Sequence, residues 1–215
     1  MKVLIFDTET TGLLPKEGSL YASQLWPYIV QFSFVIYDTV SNKIDLNHDF
    51  IIKIPKNVSI SKESTNIHGI TKSISNKRGF DIKDILEIFK IALDSCDFVV
   101  GHNVNFDKKI VMVEAIRNKV EINFSRKNMI VFCTMQFGVN LCNIEKLNDN
   151  GEVYKKYPSL LELHYKLFGV IPTNLHNSHT DVLICLRCFY KMIYNDDLYK
   201  KNRNFKSMVN SIASI

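Results

Sequence analysis

Two carboxylates near the start of the chain are the first candidates for chemistry. Asp7 and Glu9 follow the apolar run 3–6, which is too short for a helix and predicts a buried strand. Side chains at positions i and i+2 of an extended chain share one face, about 6–7 Å apart. Such a pair resists ionisation unless a cation lies between the two groups, and Mg²⁺ prefers oxygen ligands of this kind. An isolated Asp-x-Glu is most often a pair of surface charges, so the interpretation depends on the rest of the chain.

A third acid, Asp107, ends the segment His-Asn-Val-Asn-Phe-Asp at 102–107. The apolar residues 98–101 predict a short strand before it, and the spacing of apolar residues predicts a helix from about 106 to 117. Ligands collect at the carboxyl ends of strands in open α/β sheets, so Asp107 is a second candidate ligand. A simple helix-dipole contact, worth about 0.3–1 kcal/mol, explains the acid equally well when it is considered alone.

A histidine and a fourth acid lie at the start of the last long predicted helix, 177–194. His176 lies just before this helix and Asp181 lies in its first turn, an arrangement suited to a general base beside a metal ligand. A structural alternative is open, because Ser178 and Asp181 have the spacing of a capping box.

The same stretch offers a rival metal site. His176 and His179, followed by Cys185 and Cys188, have a spacing similar to that of zinc ligands. We do not favour zinc, because both cysteines fall on one face of an apolar helical pattern, where cysteine behaves as a small hydrophobic residue.

The elements that must position these groups predict an α/β protein with helices on a mixed sheet. The first three strands form an antiparallel meander in this interpretation, residues 14–27 form a loop, and residues 142–157 are the most mobile insertion. Residues after 196 cannot be assigned. The predicted strands are 3–6, 29–37, 43–54, 98–101 and 130–132, and the predicted helices are 61–70, 80–94, 106–117, 135–141, 159–168 and 177–194.

Composition favours one globular domain without a membrane segment. The chain has 215 residues, a formal charge of +5 and five cysteines, which suggests free thiols and allows a polyanionic partner. No apolar stretch approaches the ~18 residues that cross a bilayer, and Asp7 interrupts the only signal-like run. We therefore expect a cytoplasmic or nuclear protein that makes no membrane contact.

Taken together, these segments resemble the DEDDh 3′–5′ exonucleases, the family of the bacterial replicase proofreading subunit, ribonuclease T and oligoribonuclease. The similarity covers about residues 1–195, with every motif in order. The matching segments are Phe-Asp-Thr-Glu-Thr-Thr-Gly-Leu at 6–13, Asn-Ile-His-Gly-Ile-Thr at 66–71, Gly-His-Asn-Val-Asn-Phe-Asp at 101–107, Pro-Ser-Leu at 158–160, and His176 with Asp181 as H-x4-D.

The resemblance implies a ribonuclease-H-like α/β fold, in which a five-stranded mixed sheet is flanked by helices. It implies an exonuclease domain over 1–195, followed by a C-terminal tail of unknown role, 196–215. It also implies two divalent cations, Mg²⁺ with Mn²⁺ as a substitute, and assigns roles to the acids. Asp7 bridges both cations, Glu9 and Asp181 hold the first, and Asp107 supports the second.

The resemblance further implies that His176 is a catalytic residue, which takes the proton from the attacking water, whereas His179 matters less. The expected activity is hydrolysis of nucleic acid from single-stranded or frayed 3′ ends, with DNA favoured and nucleoside 5′-monophosphates released. The terminal nucleotide is expected to meet four substrate-binding residues, Thr10, Leu13, His68 and Phe106.

Several alternatives stay open at this point. The chain could act on short RNA as an exoribonuclease or oligoribonuclease, or it could be a proofreading module bound to a polymerase partner. It could also be a non-catalytic member that binds nucleic acid, although all four acids are present. The family contains both monomers and homodimers, and the sequence does not choose between them.

Overall fold

A five-stranded mixed sheet forms the centre of the computed structural model, which describes all 215 residues. The strands are β1 (Lys2–Thr10), β2 (Ile29–Asp38), β3 (Lys43–Ile51), β4 (Phe98–Gly101) and β5 (Ile130–Cys133). Their order across the sheet is β3-β2-β1-β4-β5. The first three strands pair antiparallel, and β4 and β5 run parallel to β1. The predicted fold class and the predicted meander are therefore confirmed.

Nine helices flank this sheet. They are α1 (Lys62–His68), α2 (Lys72–Arg78), α3 (Ile82–Asp94), α4 (Val104–Asn118), α5 (Thr134–Cys142), α6 (Leu160–Phe168), α7 (Ser178–Tyr194), α8 (Leu198–Lys201) and α9 (Arg203–Ile212). No helix combines the length and the apolar character that crossing a membrane requires.

Alternation along β1 divides the apolar residues between two cores, one on each face of the sheet. Leu4 and Phe6 belong to the core that includes α3 and α4. Val3 and Ile5 belong to the core that includes α6, α7 and α9. Because side chains alternate with a period of two, the odd-numbered residues that follow in β1 also face α7.

β1 is longer than the apolar run predicts. Its pairing with β2 continues through Asp7 and Glu9, which lie opposite Ser33 and Gln31, and shifts register only between Glu9 and Thr10. The prediction that the strand stops at Asp7 is therefore wrong, because backbone pairing with β2 extends it. Both acids consequently lie within the most central strand of the sheet.

In three further segments the observed structure differs from the predicted one. α2 was not predicted, because its one strongly apolar residue, Ile74, gives no helical repeat, although Thr71 caps it through the amide of Ile74. Residues expected to form a mobile insertion instead form a small antiparallel hairpin of β6 (Glu145–Leu147) and β7 (Val153–Lys155). β3 ends at Ile51, three residues earlier than expected.

Residues 196–215, whose role the sequence leaves open, fold onto the core around α7. Leu198, Phe205 and Val209 are fully buried there. Arg187 of α7 donates two hydrogen bonds to Asp197, at 2.9 and 2.8 Å, and a third to His164 at 2.9 Å. This buried ion pair ties α7 to the segment that follows it.

We expect Asp197→Asn to lower the free energy of unfolding by roughly 3 kcal/mol, because it leaves the buried Arg187 charge without its partner. The exposed neighbour provides the control: Asp196→Asn should cost less than about 1 kcal/mol. Urea denaturation of the two variants measures the difference. Equal destabilisation by both would show that the buried pair does not hold the segment.

Candidate active site

Three carboxylates converge where β1 passes the start of α7. Asp7 and Glu9 come from β1 and Asp181 from the first turn of α7, and one oxygen from each lies within 4.8 Å of the others. All three are partly buried. The structure thus brings together residues that are more than 170 positions apart in the sequence.

The fourth acid lies beside this cluster and is held by β1 itself. Asp107, in the first turn of α4, is only 3% exposed. Its Oδ1 accepts hydrogen bonds from the backbone amide of Thr8 at 3.0 Å and from the Thr8 hydroxyl at 2.7 Å. Both bonds go to the same oxygen, so the other oxygen remains available to a ligand.

Burial, together with repulsion between the charges, raises the pKa of all four acids. Burial raises the pKa of Glu9 to about 8, and the charges of Asp181 and Asp107 add to the effect. Burial likewise raises the pKa of Asp107 to about 7, against the opposing hydrogen bonds from Thr8, and that of Asp181 to about 7. The pKa of Asp7 is raised well above its usual range, again mainly by burial.

Asp181 provides a test of whether the cluster suits a cation. Its Oδ2 accepts a hydrogen bond from the backbone amide of His176 at 3.1 Å. Its Oδ1 is buried and has no hydrogen-bond partner. Buried oxygens are almost always paired, so an unpaired one beside two further carboxylates fits a divalent cation that prefers oxygen ligands.

His176 lies on the exposed loop before α7, with its backbone in the left-handed region at φ 67°. Its imidazole makes no hydrogen bond, so both ring nitrogens are available. The side chain lines a cavity of about 550 Å³ together with His68. Through its amide bond to Asp181, the backbone of His176 is fixed directly to the acid cluster.

His179 and the two cysteines do not form a metal site. The Nε2 of His179 is bonded to the Asn47 side chain at 2.8 Å, and burial lowers its pKa. Cys185 and Cys188 are buried in the core around α7, and the acid cluster is the one candidate metal group among the residues of the chain. The zinc alternative is not supported.

The start of α7 is fixed by buried polar contacts rather than by the suggested capping box. Asn177 caps the helix by accepting hydrogen bonds from the amides of His179 and Thr180. The hydroxyl of Ser178 instead lies 2.6 Å from that of Ser33 in β2, and its amide donates to Gln31.

Gln31 and Ser33 are therefore structural partners of the site that the sequence analysis did not identify. Both also donate hydrogen bonds of 2.8 Å to Asp49 of β3, so the network crosses two strands. Their signal in the sequence is their polarity, since they interrupt a strand that is otherwise buried and apolar.

His102 is a further residue whose structural role the sequence analysis did not identify. Its Nε2 donates to the Pro158 carbonyl at 3.0 Å, and its Nδ1 lies 3.0 Å from the Thr134 hydroxyl. Burial lowers the pKa of His102 to about 4, so it is neutral at physiological pH. It joins the turn before α4, and hence Asp107, to the start of α6.

The four residues expected to bind the terminal nucleotide differ in their exposure and in whether their polar atoms already have hydrogen-bond partners. Leu13 is 89% exposed, and Phe106 is partly buried. The Thr10 hydroxyl donates to the Gly12 carbonyl, and His68 uses both ring nitrogens on the backbone of Thr10 and Ile70. Thr10 and His68 therefore shape the backbone, and Leu13 offers the most accessible apolar side chain.

Comparison with known proteins identifies the family of the chain and supports its fold. The model of the RNase_T family, described as exonuclease, matches residues 4–189. Exonuclease I of E. coli in complex with a dT13 oligonucleotide superposes with a TM-score of 0.67 and 16% identity, over 98% of this chain and 45% of that one. Exonuclease I from Methylocaldum szegediense gives a TM-score of 0.65 and 17% identity, over 93% and 42% of the two chains.

A search of curated protein sequences finds no match. The chain spans less than half the length of these solved structures, and at such low identity their likeness shows the fold alone. The family match extends over most of the chain and covers all four acids and His176. On this evidence the chain belongs to the RNase_T exonuclease family and has its DnaQ-like, ribonuclease-H-like fold.

Proposed function

We propose that this protein is a metal-dependent 3′–5′ exonuclease that hydrolyses nucleic acid, with DNA favoured, and releases nucleoside 5′-monophosphates. The observation that carries the proposal is the convergence of Asp7, Glu9 and Asp181, with Asp107 beside them and His176 on the adjoining loop. Membership of an exonuclease family supports hydrolysis of phosphodiester bonds.

The four acids are proposed to hold two divalent cations, Mg²⁺ or in its place Mn²⁺. Asp7, Glu9 and Asp181 would share the first, and Asp7 with the available oxygen of Asp107 would share the second. Four carboxylates in one cleft carry a charge of about −4 when ionised, which two such ions offset. When bound, the cations would lower the pKa of a coordinated water and would stabilise negative charge on the phosphate.

His176 is proposed to accept the proton of the attacking water at an imidazole nitrogen. Both nitrogens lack protein partners, and imidazole is the side chain that most often accepts a proton in general-base catalysis. The amide bond to Asp181 keeps the loop next to the acid cluster.

The DNA preference is supported by the solved relatives, in which Exonuclease I is bound to dT13 and to dA16 oligonucleotides. Leu13 and Phe106 would pack against the terminal base without selecting its identity. Activity on short RNA is the alternative function. A polymerase partner stays a prediction, and monomer and homodimer stay alternatives for the oligomeric state.

Asp7→Asn should abolish nuclease activity while the chain stays folded, because Asp7 is the carboxylate proposed to touch both cations. The assay compares 3′-labelled single-stranded DNA, duplex DNA and RNA, and identifies the released mononucleotides. Asp149→Asn, in the exposed turn of the β6–β7 hairpin, is the matched control and should keep full activity. Unchanged activity in Asp7→Asn would refute the proposed site, and faster RNA digestion would favour the alternative substrate.

His176→Ala should lower kcat by about 10²–10⁴-fold, the usual contribution of a general base. His179→Ala should change kcat only a few-fold, since its ring is occupied by Asn47. Steady-state kinetics on single-stranded DNA, with melting temperatures as a check on folding, distinguish the two. A larger loss in His179→Ala would show that the base is wrongly assigned.

The Mg²⁺-induced rise in melting temperature should grow from about pH 4 to about pH 8. Folding raises the pKa of Asp181 from its ordinary value of 3.8 to about 7, and the pKa of Glu9 from its ordinary value of 4.5 to about 8. A raised folded-state pKa stabilises the metal-free protein at low pH, and this contribution is lost as pH rises through the folded value. The ionised acids then bind Mg²⁺, which restores stability.

Thermal melts in chelator and in Mg²⁺ across this pH range measure the effect. Glu9→Gln removes one titrating acid, so its metal-free melting temperature should fall less with pH and its response to Mg²⁺ should be smaller. A Mg²⁺ response independent of pH would contradict the proposed ligands.

A further inference from the structure

The loop that carries His176 connects α6 to α7 and contains two residues other than glycine in the left-handed region. Asn174 has φ 58° and His176 has φ 67°. Residues with side chains adopt this conformation at a cost, and it persists where surrounding contacts hold it. The contacts that hold this loop therefore determine where the His176 imidazole lies.

Three hydrogen bonds attach the loop to the segment at the end of α9. The Thr173 amide donates to the Ser214 carbonyl at 3.1 Å, and the Ser214 amide donates to the Thr173 hydroxyl at 2.8 Å. The Asn174 side-chain amide donates to the Ile212 carbonyl at 2.8 Å. Ile212 also lines the cavity that His176 and His68 border.

We propose that residues 212–214 position His176 for catalysis through Thr173 and Asn174. The inference rests on the proposed function and extends it, because it gives a role to α9, whose sequence carries none of the family motifs. On its other side the loop is held to the acid cluster by the His176 amide bond to Asp181. The two attachments together fix the backbone on either side of the imidazole.

The side chains that make these contacts are exposed, so their role can be tested without disturbing a core. Thr173, Asn174 and Ser214 are exposed, so their hydrogen bonds contribute little to the stability of the whole chain. α9 itself is anchored separately by the buried side chains of Phe205 and Val209. Loss of the loop contacts should therefore change geometry at His176 rather than folding.

Asn174→Asp is the most informative variant. Aspartate tolerates the left-handed backbone, but its carboxylate accepts hydrogen bonds and repels the Ile212 carbonyl. Thr173→Val, a second variant, removes the hydroxyl that accepts a hydrogen bond from the Ser214 amide. Ser211→Ala is the matched control, because its hydroxyl bonds the Met208 carbonyl within α9 and does not touch the loop.

Asn174→Asp and Thr173→Val should each lower kcat by about 10–100-fold, the effect of a catalytic group displaced by about 1 Å. KM and the melting temperature should stay close to those of the unaltered protein, and Ser211→Ala should be neutral. In a His176→Ala background Asn174→Asp should cause no further loss, because the two changes act on the same group. The His176 imidazole signals in ¹H–¹³C NMR spectra should shift in Asn174→Asp and not in Ser211→Ala.

Full activity in Asn174→Asp, or losses that multiply with those of His176→Ala, would overturn the inference while leaving the proposed function intact. Unshifted imidazole signals would overturn it independently of any activity measurement. If His176→Ala proves neutral in an otherwise active enzyme, both this inference and the assignment of the base fall.

Discussion

The free-energy cost of burying several carboxylates in one cleft is the constraint on which the rest of the structure depends. One oxygen from each of Asp7, Glu9 and Asp181 lies within 4.8 Å of the others. Desolvation is the main cost of ionising Asp7, and repulsion by the neighbouring carboxylates adds to that cost. Their positions must therefore be imposed by elements that cannot move apart. β1 is such an element, because it lies at the centre of the sheet, with β2 and β4 on either side and a core on each face.

The second partner in this constraint is α7, which must hold Asp181 against β1. Its start is fixed by a buried hydrogen bond between the hydroxyls of Ser178 and Ser33, and by the Asn177 cap. Its middle is fixed to the segment that follows the helix by the buried pair of Arg187 with Asp197. The acid cluster is thus supported by polar contacts that are buried, and buried polar contacts have defined geometry because unpaired alternatives are costly.

Much of this arrangement could be predicted from local patterns. The i, i+2 spacing places Asp7 and Glu9 on one face, and the strand-to-helix handover places Asp107 in the first turn of α4. The extent of β1 could not be read in this way, because pairing with β2 carries the strand past its apolar residues. Local spacing does not decide against the capping-box alternative for Ser178, because its partner Ser33 is distant in sequence and tertiary contact outweighs local spacing.

His176 stands apart from the acids because no core holds it. The carboxylates lie on a central strand and on the first turns of two helices, whereas His176 lies on an exposed loop with strained backbone. Family motifs identify the residue but carry no information on what keeps it in place, since the contacts come from residues 212–214. A group that must move a proton needs defined distances, so the loop depends on contacts outside the shared motifs. The C-terminal segment thereby becomes part of the chemistry proposed for the centre of the chain.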